Sequence, residues 1–115
     1  MTSEAKDDDS GIDKELLKRA KAGNAEAQHE LSMWYYMFKG EDGRKNALEW
    51  CTKAANQGYA RAQCQLGNMY SGGEGVPQDY KMAIEWYTKA ANQGNDLAIN
   101  NLGVMYLMRK KLLSY

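Results

Sequence analysis

The chain has 115 residues, enough for one domain, and its 15 Lys and Arg residues balance 15 Asp and Glu residues, so the formal net charge is zero. This balance argues against a general nucleic-acid binder, which carries a clear basic surplus. A single Pro favours helix, almost nothing in the sequence alternates like a strand, and no apolar run is long enough to cross a bilayer.

The chain begins with a polar and acidic segment, MTSEAKDDDSGID. It lacks the basic start and apolar stretch of a secretory signal, so we expect a cytoplasmic protein whose Cys51 and Cys64 are free thiols. We expect residues 1–9 to form a disordered acidic tail and residues 10–115 to form one domain. Ser10 and Asp13 resemble a capping box that would start the first helix there.

Two short sequence elements recur in alternation with a period of 35 or 36 residues. The first reads AQHELSMWY from Ala27, AQCQLGNMY from Ala62 and AINNLGVMY from Ala98. The second reads ALEWCTKAANQG from Ala47 and AIEWYTKAANQG from Ala83, and IDKELLKRAKAG from Ile12 is a diverged copy. Two elements that alternate at such a period are typical of solenoids built from helix pairs.

The apolar residues within each element have helical spacing, which predicts helices near 12–22, 25–38, 44–57, 60–71, 79–93 and 96–110. Glycines just beyond three of these helices fit a left-handed closing residue, and an Asn follows two of them as a candidate cap. These residues are Gly23, Gly58, Gly94, Asn24 and Asn95. The predicted core residues are Ala62, Leu66, Met69, Tyr70, Ala83, Trp86, Tyr87, Ala90 and Ala91.

The second unit, AxxxLGxxY followed by SGGEGVPQD and AIEWYTKAANQG, closely resembles the Sel-one-like repeat (SLR), a relative of the tetratricopeptide repeat (TPR). The matching positions are Ala62, Leu66, Gly67, Tyr70, Gly73, Gly75, Val76, Asp79, Ala83, Trp86, Tyr87, Ala90, Ala91, Gly94 and Ala98. The resemblance implies an all-α fold, a right-handed α/α solenoid of about 2.5 Sel-one-like repeats with roughly six antiparallel helices. The implied units are a half-repeat at 11–23, repeats at 24–58 and 59–94, and a truncated repeat at 95–115.

The first and third units depart from this pattern. Ser32 stands where the later units have Gly67 and Gly103, and the turn MFKGEDGRKN is one residue shorter and lacks the GxGV pattern. In the third unit LMRKKLLSY replaces the expected turn, and a second helix is missing.

The resemblance also implies function. Members of this family serve as scaffolds or adaptors in bacterial signalling and host interaction, as toxin-neutralising immunity proteins, and in eukaryotic membrane-protein quality control, with no shared catalytic centre. We therefore expect a non-catalytic protein–protein interaction module, a scaffold, adaptor or inhibitor that binds a protein or peptide. Two alternatives stay open: a bacterial immunity protein that neutralises a toxin, and a truncated structural fragment of a longer array.

In such solenoids the first helix of each pair lines the concave side, so the positions opposite the core stripe are the candidate partner-binding residues. In the first unit they are Glu26, His29, Glu30, Met33 and Tyr36. In the second they are Arg61, Cys64, Gln65, Asn68 and Ser71. In the third they are Leu97, Asn100, Asn101, Val104 and Leu107. The alternative is a solvated helix face with scattered apolar residues.

The last predicted helix carries more apolar residues than a terminal solenoid helix needs, namely Met105, Tyr106, Leu107, Met108, Leu112 and Leu113. Large exposed apolar patches are unusual in monomers. We therefore expect self-association or partner docking through this helix, with a fragment of a longer array as the alternative.

Catalytic and metal chemistry has little support in the sequence. A hydrolase would have to use Cys64 with His29, the single histidine, and no third orienting group accompanies them. Zinc needs about four ligands, which one His and two scattered Cys do not supply, so we expect no metal and no cofactor. Cys51 occupies a position held by Leu16 and Tyr87 in the other copies, which favours packing.

Overall fold

The computed structural model describes residues 11–113, with side chains up to Lys111. Six α-helices follow one another: α1 (Lys14–Lys21), α2 (Ala25–Phe38), α3 (Gly40–Asn56), α4 (Ala60–Gly72), α5 (Tyr80–Ala91) and α6 (Asp96–Leu113). Each packs against the next, which gives an elongated α/α solenoid of 58 × 27 × 17 Å. The predicted tail at 1–9, the cap at Ser10 and the side chains of Leu112 and Leu113 lie outside this description.

The helix boundaries have local causes that the sequence predicted. The Asn24 and Asn95 side chains accept hydrogen bonds from the amides of Ala27 and Ala98, at 2.7 and 2.8 Å, and so cap α2 and α6. Three glycines that follow helices have the left-handed backbone that favours glycine: Gly23, Gly58 and Gly94, with φ of 104°, 93° and 87°.

The first helix starts later than predicted, since Asp13 itself is the capping residue. Its side chain accepts a hydrogen bond from the amide of Glu15 at 2.9 Å, and α1 begins at Lys14. The carboxylate therefore satisfies one of the free amides of the first turn.

The prediction that the third helix begins near residue 44 was wrong, because α3 begins at Gly40 and only Lys39 separates it from α2. Gly40 has a φ of 59°, which allows the sharp reversal. Gly43 lies so close to α2 that a Cβ there would collide with the Tyr35 carbonyl oxygen. Two glycines thus replace the longer GxGV turn.

Each helix from α2 to α6 carries a fully buried alanine. Ala27, Ala47, Ala62, Ala83 and Ala98 have no exposed surface. Small residues allow helices to pack closely, and larger side chains fill the remaining space. The largest fully buried side chains include Leu31, Leu66, Met69 and Cys51.

Three predicted core residues, Ala91 among them, are less buried than expected. Tyr70 and Trp86 are only half-buried, whereas Tyr87 is 3% exposed. The aliphatic part of Lys89 brings its ammonium group over the Trp86 ring, 5.8 Å from the centroid, so that ring lies against a solvent-facing side chain. The sequence pattern could not separate these two neighbours on α5.

A series of glutamine side chains joins the two helices of a repeat to each other and to the end of the preceding unit, and the sequence analysis missed it. The Gln57 side-chain amide donates to the Gly23 carbonyl and to Gln28 Oε1, each at 2.9 Å. One repeat later, Gln93 makes the same two bonds to Gly58 and Gln63, again at 2.9 Å. Each bond contributes about 1 kcal/mol, so the series supplements the apolar contact between repeats.

We predict that Gly67→Ala lowers stability and that Gly103→Ala, at the equivalent repeat position, raises it. A Cβ at Gly67 would lie 2.6 Å from the buried Tyr87 ring, whereas nothing lies within 4 Å of one at Gly103. Overpacking costs roughly 1–3 kcal/mol, and Ala in place of a helical Gly gains about 1 kcal/mol. Thermal denaturation of dilute protein, followed by circular dichroism, measures both; equal shifts would contradict the Tyr87 packing.

Candidate functional groove

The first helices of successive pairs frame an open groove of about 440 Å³. Helices α2 and α4 form its sides, with contributions from the turn after α4 and the start of α6. Its lining residues, called the groove below, are His29, Met33, Tyr36, Met37, Arg61, Cys64, Gln65, Asn68, Met69, Glu74, Asn95 and Leu97. They come from different repeats, so the groove exists only when the repeats stack.

Eight of the residues predicted to bind a partner line this groove, and the others lie outside its lining. The lining set includes His29, Met33, Tyr36, Arg61, Cys64, Gln65, Asn68 and Leu97. The predicted residues outside the lining are Glu26, Glu30, Ser71, Asn100, Asn101, Val104 and Leu107. Glu30 instead pairs with Arg19 of α1, at 3.7 Å. The assignment of any of these residues to a partner stays a prediction.

The sequence analysis missed four lining residues, Met37, Met69, Glu74 and Asn95. Met37 follows Met33 by one helical turn, and this i, i+4 spacing could have identified it. Met69 was assigned to the core, and it is 1% exposed while reaching the groove wall. Glu74 could not be found from helical spacing, since it lies in the turn after α4.

Hydrogen bonds hold the polar side chains of the groove in place. Asn68 Oδ1 accepts from the Tyr87 hydroxyl at 2.5 Å and from the Asn101 amide at 3.1 Å. The Tyr36 hydroxyl donates to Glu74 Oε1 at 2.7 Å, which joins α2 to the turn after α4. Because these groups are already bonded, they give the groove a fixed shape.

The apolar groups of the groove are exposed to solvent. Met33 is 42% exposed, Met37 is 65% exposed and Leu97 is 68% exposed. Methionine side chains are flexible and polarisable and can adapt to apolar groups of different shapes. The groove therefore combines fixed polar groups with adaptable apolar ones.

His29 is a neutral member of the groove at neutral pH. Its ring contacts that of Tyr59, with centroids 5.5 Å apart. Burial and then the positive charge of Arg61 lower the pKa of His29 below 6.5, against smaller opposing effects of Gln65 and Glu26. The groove therefore gains no charge from this residue near pH 7.

The two cysteines lack the features of a nucleophile. Burial raises the pKa of the Cys64 thiol, although a reactive cysteine needs a lowered pKa. Burial and the neighbouring Cys64 raise the pKa of Cys51 to about 12, and its thiol donates to the Ala62 carbonyl at 3.1 Å. Both residues are therefore protonated thiols at neutral pH.

The described part of the chain was also compared with what a metal site and a membrane span require. Within residues 11–111, whose side chains are described, no group of three or more His, Cys, Asp or Glu residues could hold a metal ion. None of the helices in the described part is both long and apolar enough to cross a membrane.

Antiparallel helix pairs repeated along the chain, with a groove across their first helices, define an α/α solenoid of the TPR-like class. Sequence comparison identifies the family: the Sel1 repeat matches residues 25–59, 60–95 and 96–110. The chain therefore belongs to the Sel1 repeat family, whose members are generally non-catalytic protein-interaction modules.

Solved structures agree with this assignment. A protective antigen of uropathogenic Escherichia coli that displays an SLR fold is 45% identical, with a TM-score of 0.73, and the match covers 80% of this chain and 20% of that one. A Sel1 repeat protein from Oxalobacter formigenes is 37% identical, with a TM-score of 0.72, over 76% of this chain and 67% of that one. The chain thus spans a fifth of the length of the first. No curated protein gives a significant match.

We predict that both thiols resist alkylation by iodoacetamide in the folded protein at neutral pH. Cys51 has no exposed surface and Cys64 is 4% exposed, and both pKa values are raised. The rate at Cys64, followed by peptide mass spectrometry, should rise with a midpoint above the usual thiol pKa of 9.0. A fast reaction with a midpoint below 7 would reveal a thiolate activated by His29.

Proposed function

We propose that this protein is a non-catalytic interaction module that binds a protein or peptide partner in the groove across α2, α4 and the start of α6. The observation that carries the proposal is the set of apolar side chains left exposed along a groove in which Tyr36, Glu74 and Asn68 are already hydrogen-bonded. Met33, Met37 and Leu97 are the exposed members of this set.

The energetics favour an apolar anchor in the partner. Removing apolar surface from water contributes roughly 25 cal/mol per Å², and a few central residues usually supply most of the binding energy of an interface. Met33 and Met37 lie one helical turn apart on α2, and Leu97 lies at the start of α6. An apolar side chain between them would contact two different repeats at once.

The polar residues of the groove would orient the partner. Arg61 lies near the start of α4, and Glu74 lies just after its end. The helix from Arg61 to its last residue, Gly72, spans about 17 Å along its axis. Charges so far apart favour an extended segment over a compact group, and they set its direction.

Within this proposal the protein acts as a scaffold, adaptor or inhibitor, and we expect it to work in the cytoplasm. The raised pKa values of Cys51 and Cys64 disfavour the hydrolase alternative. A toxin-neutralising immunity protein is one version of an inhibitor, and no groove residue selects it over the others. A purely structural fragment would leave the exposed methionines without a role.

We predict that Met37→Glu abolishes partner binding while Phe38→Glu retains it. These residues are consecutive in α2 and each is 65% exposed, yet Met37 lines the groove and Phe38 does not. Glu is a good helix former, so both variants keep α2, and a buried charge in the groove would cost several kcal/mol on binding. The measurement is capture from an extract of the native cell on immobilised wild type and both variants.

The outcomes are distinguishable. Proteins retained by the wild type and Phe38→Glu but lost with Met37→Glu and Leu97→Glu would support the groove. Equal retention by all four proteins would place the interaction elsewhere. Retention of nothing by the wild type would favour the structural-fragment alternative. Circular dichroism of each variant beforehand establishes that the fold is intact.

A further inference from the structure

A second apolar surface lies on α6, beside the contact with α5. We define the open face of α6 as Ile99, Leu102, Gly103 and Tyr106, which follow one another at helical spacing and share one side of the helix. Ile99 is 50% exposed and Tyr106 is 49% exposed. Ala98 and Met105, which are buried, mark the adjacent side, where α6 packs on α5, and Leu102 lies at the border and packs partly against that contact.

The same positions are covered in the earlier repeats. Tyr106 is equivalent to Tyr35, which is 4% exposed beneath α3, and to Tyr70, which is half-buried, so Tyr106 is the most exposed of the three. Leu102 is equivalent to Leu31 and Leu66, which have no exposed surface, and yet Leu102 is only half-buried. The open face of α6 is therefore a helix-packing surface that lacks its second helix in the described chain.

Gly103 marks the space that a side chain of a covering helix would enter. At the equivalent Gly67 the ring of Tyr87, from α5, lies where a Cβ would be. Over Gly103 nothing lies within 4 Å of such a Cβ. An aromatic ring of a second helix would fit there.

The helix that covers this face differs from α3 and α5. A glutamine follows each of those helices, Gln57 after α3 and Gln93 after α5, and donates to a glutamine of the first helix. Ile99 occupies that acceptor position in α6. Since this polar acceptor has been replaced by an apolar side chain, the occupant presents an apolar group there.

The open face of α6 carries both an exposed aromatic ring, that of Tyr106, and an open space over Gly103 that could hold such a ring. A two-fold symmetric interface requires this kind of self-complementary surface. Tyr106 lies one turn beyond Gly103, so in an antiparallel pair the ring of each copy reaches the space over the partner's glycine. The charges fit the same arrangement, because Asp96 begins α6 and Lys110 lies near its end. Antiparallel pairing brings these opposite charges together and also aligns the helix dipoles favourably.

We propose that the open face of α6 is a homodimer interface, in which α6 packs antiparallel against α6 of a second copy of this chain. The groove residues of α2 and α4 lie outside this face, so each copy keeps its partner-binding site. The dimer would therefore present two grooves, and a partner with two binding segments would bind more tightly through both.

The test compares Gly103→Glu with Val104→Glu. Consecutive helical residues point about 100° apart, so Glu at 103 fills the interface whereas Glu at 104 lies beside it. Light scattering at increasing concentration should give the wild type and Val104→Glu a mass approaching twice 13.0 kDa. Gly103→Glu should stay at the single-chain mass, and since Glu replaces a helical Gly, its helical content should not fall.

Charge reversal tests the antiparallel arrangement independently. Asp96→Lys and Lys110→Glu should each weaken dimerisation, by about tenfold for two reversed pairs. An equimolar mixture of these two variants should restore the dimer, because opposite charges then face each other again. A single-chain mass for the wild type at every concentration, equal behaviour of Gly103→Glu and Val104→Glu, or no restoration in the mixture would overturn the proposal.

Discussion

The close approach of neighbouring helices through alanine is the constraint on which the other features depend. Ala27, Ala62 and Ala98 start the first helices of their repeats, and each has no exposed surface. With so little side chain between the axes, bulky groups must lie beside the contact line, which places methionines and polar residues along one side of the array. The groove is thus a consequence of the same packing that gives the solenoid its stability, and the glutamine series fixes the stacking of one repeat on the next.

The helices could be predicted from the sequence because the residues that mark them act locally and recur in each repeat. Gly58 and Asn95 mark boundaries by their own conformational and capping preferences, and the helical period located eight lining residues of the groove. What it could not predict depends on contacts between elements. The early start of α3 follows from the approach of Gly43 to the Tyr35 carbonyl, and the place of Glu74 in the groove follows from its bond to Tyr36. Neither contact is accompanied by a residue pattern that recurs along the sequence.

The bonded polar residues of the groove maintain its shape, whereas the exposed apolar residues form its surface. Asn68 and Tyr36 are bonded to side chains of other elements, so replacing either would disturb the shape of the groove as well as its surface. Met37 and Leu97 are far more exposed, and substitutions there change the surface with little effect on packing. Loss of binding can therefore be interpreted at the exposed apolar positions, whereas at the bonded polar positions it cannot be distinguished from a local change in structure.

Differences among the repeats carry the specific information of this chain. The position of Gln28 and Gln63 holds Ile99 in the third unit, and the position of Asn68 holds Val104. The first exchange removes an acceptor that both earlier repeats use to bind their own second helix, while Gly103 retains the space that such a helix fills. The glycine and the apolar Ile99 together describe a surface suited to a helix different from α3 and α5.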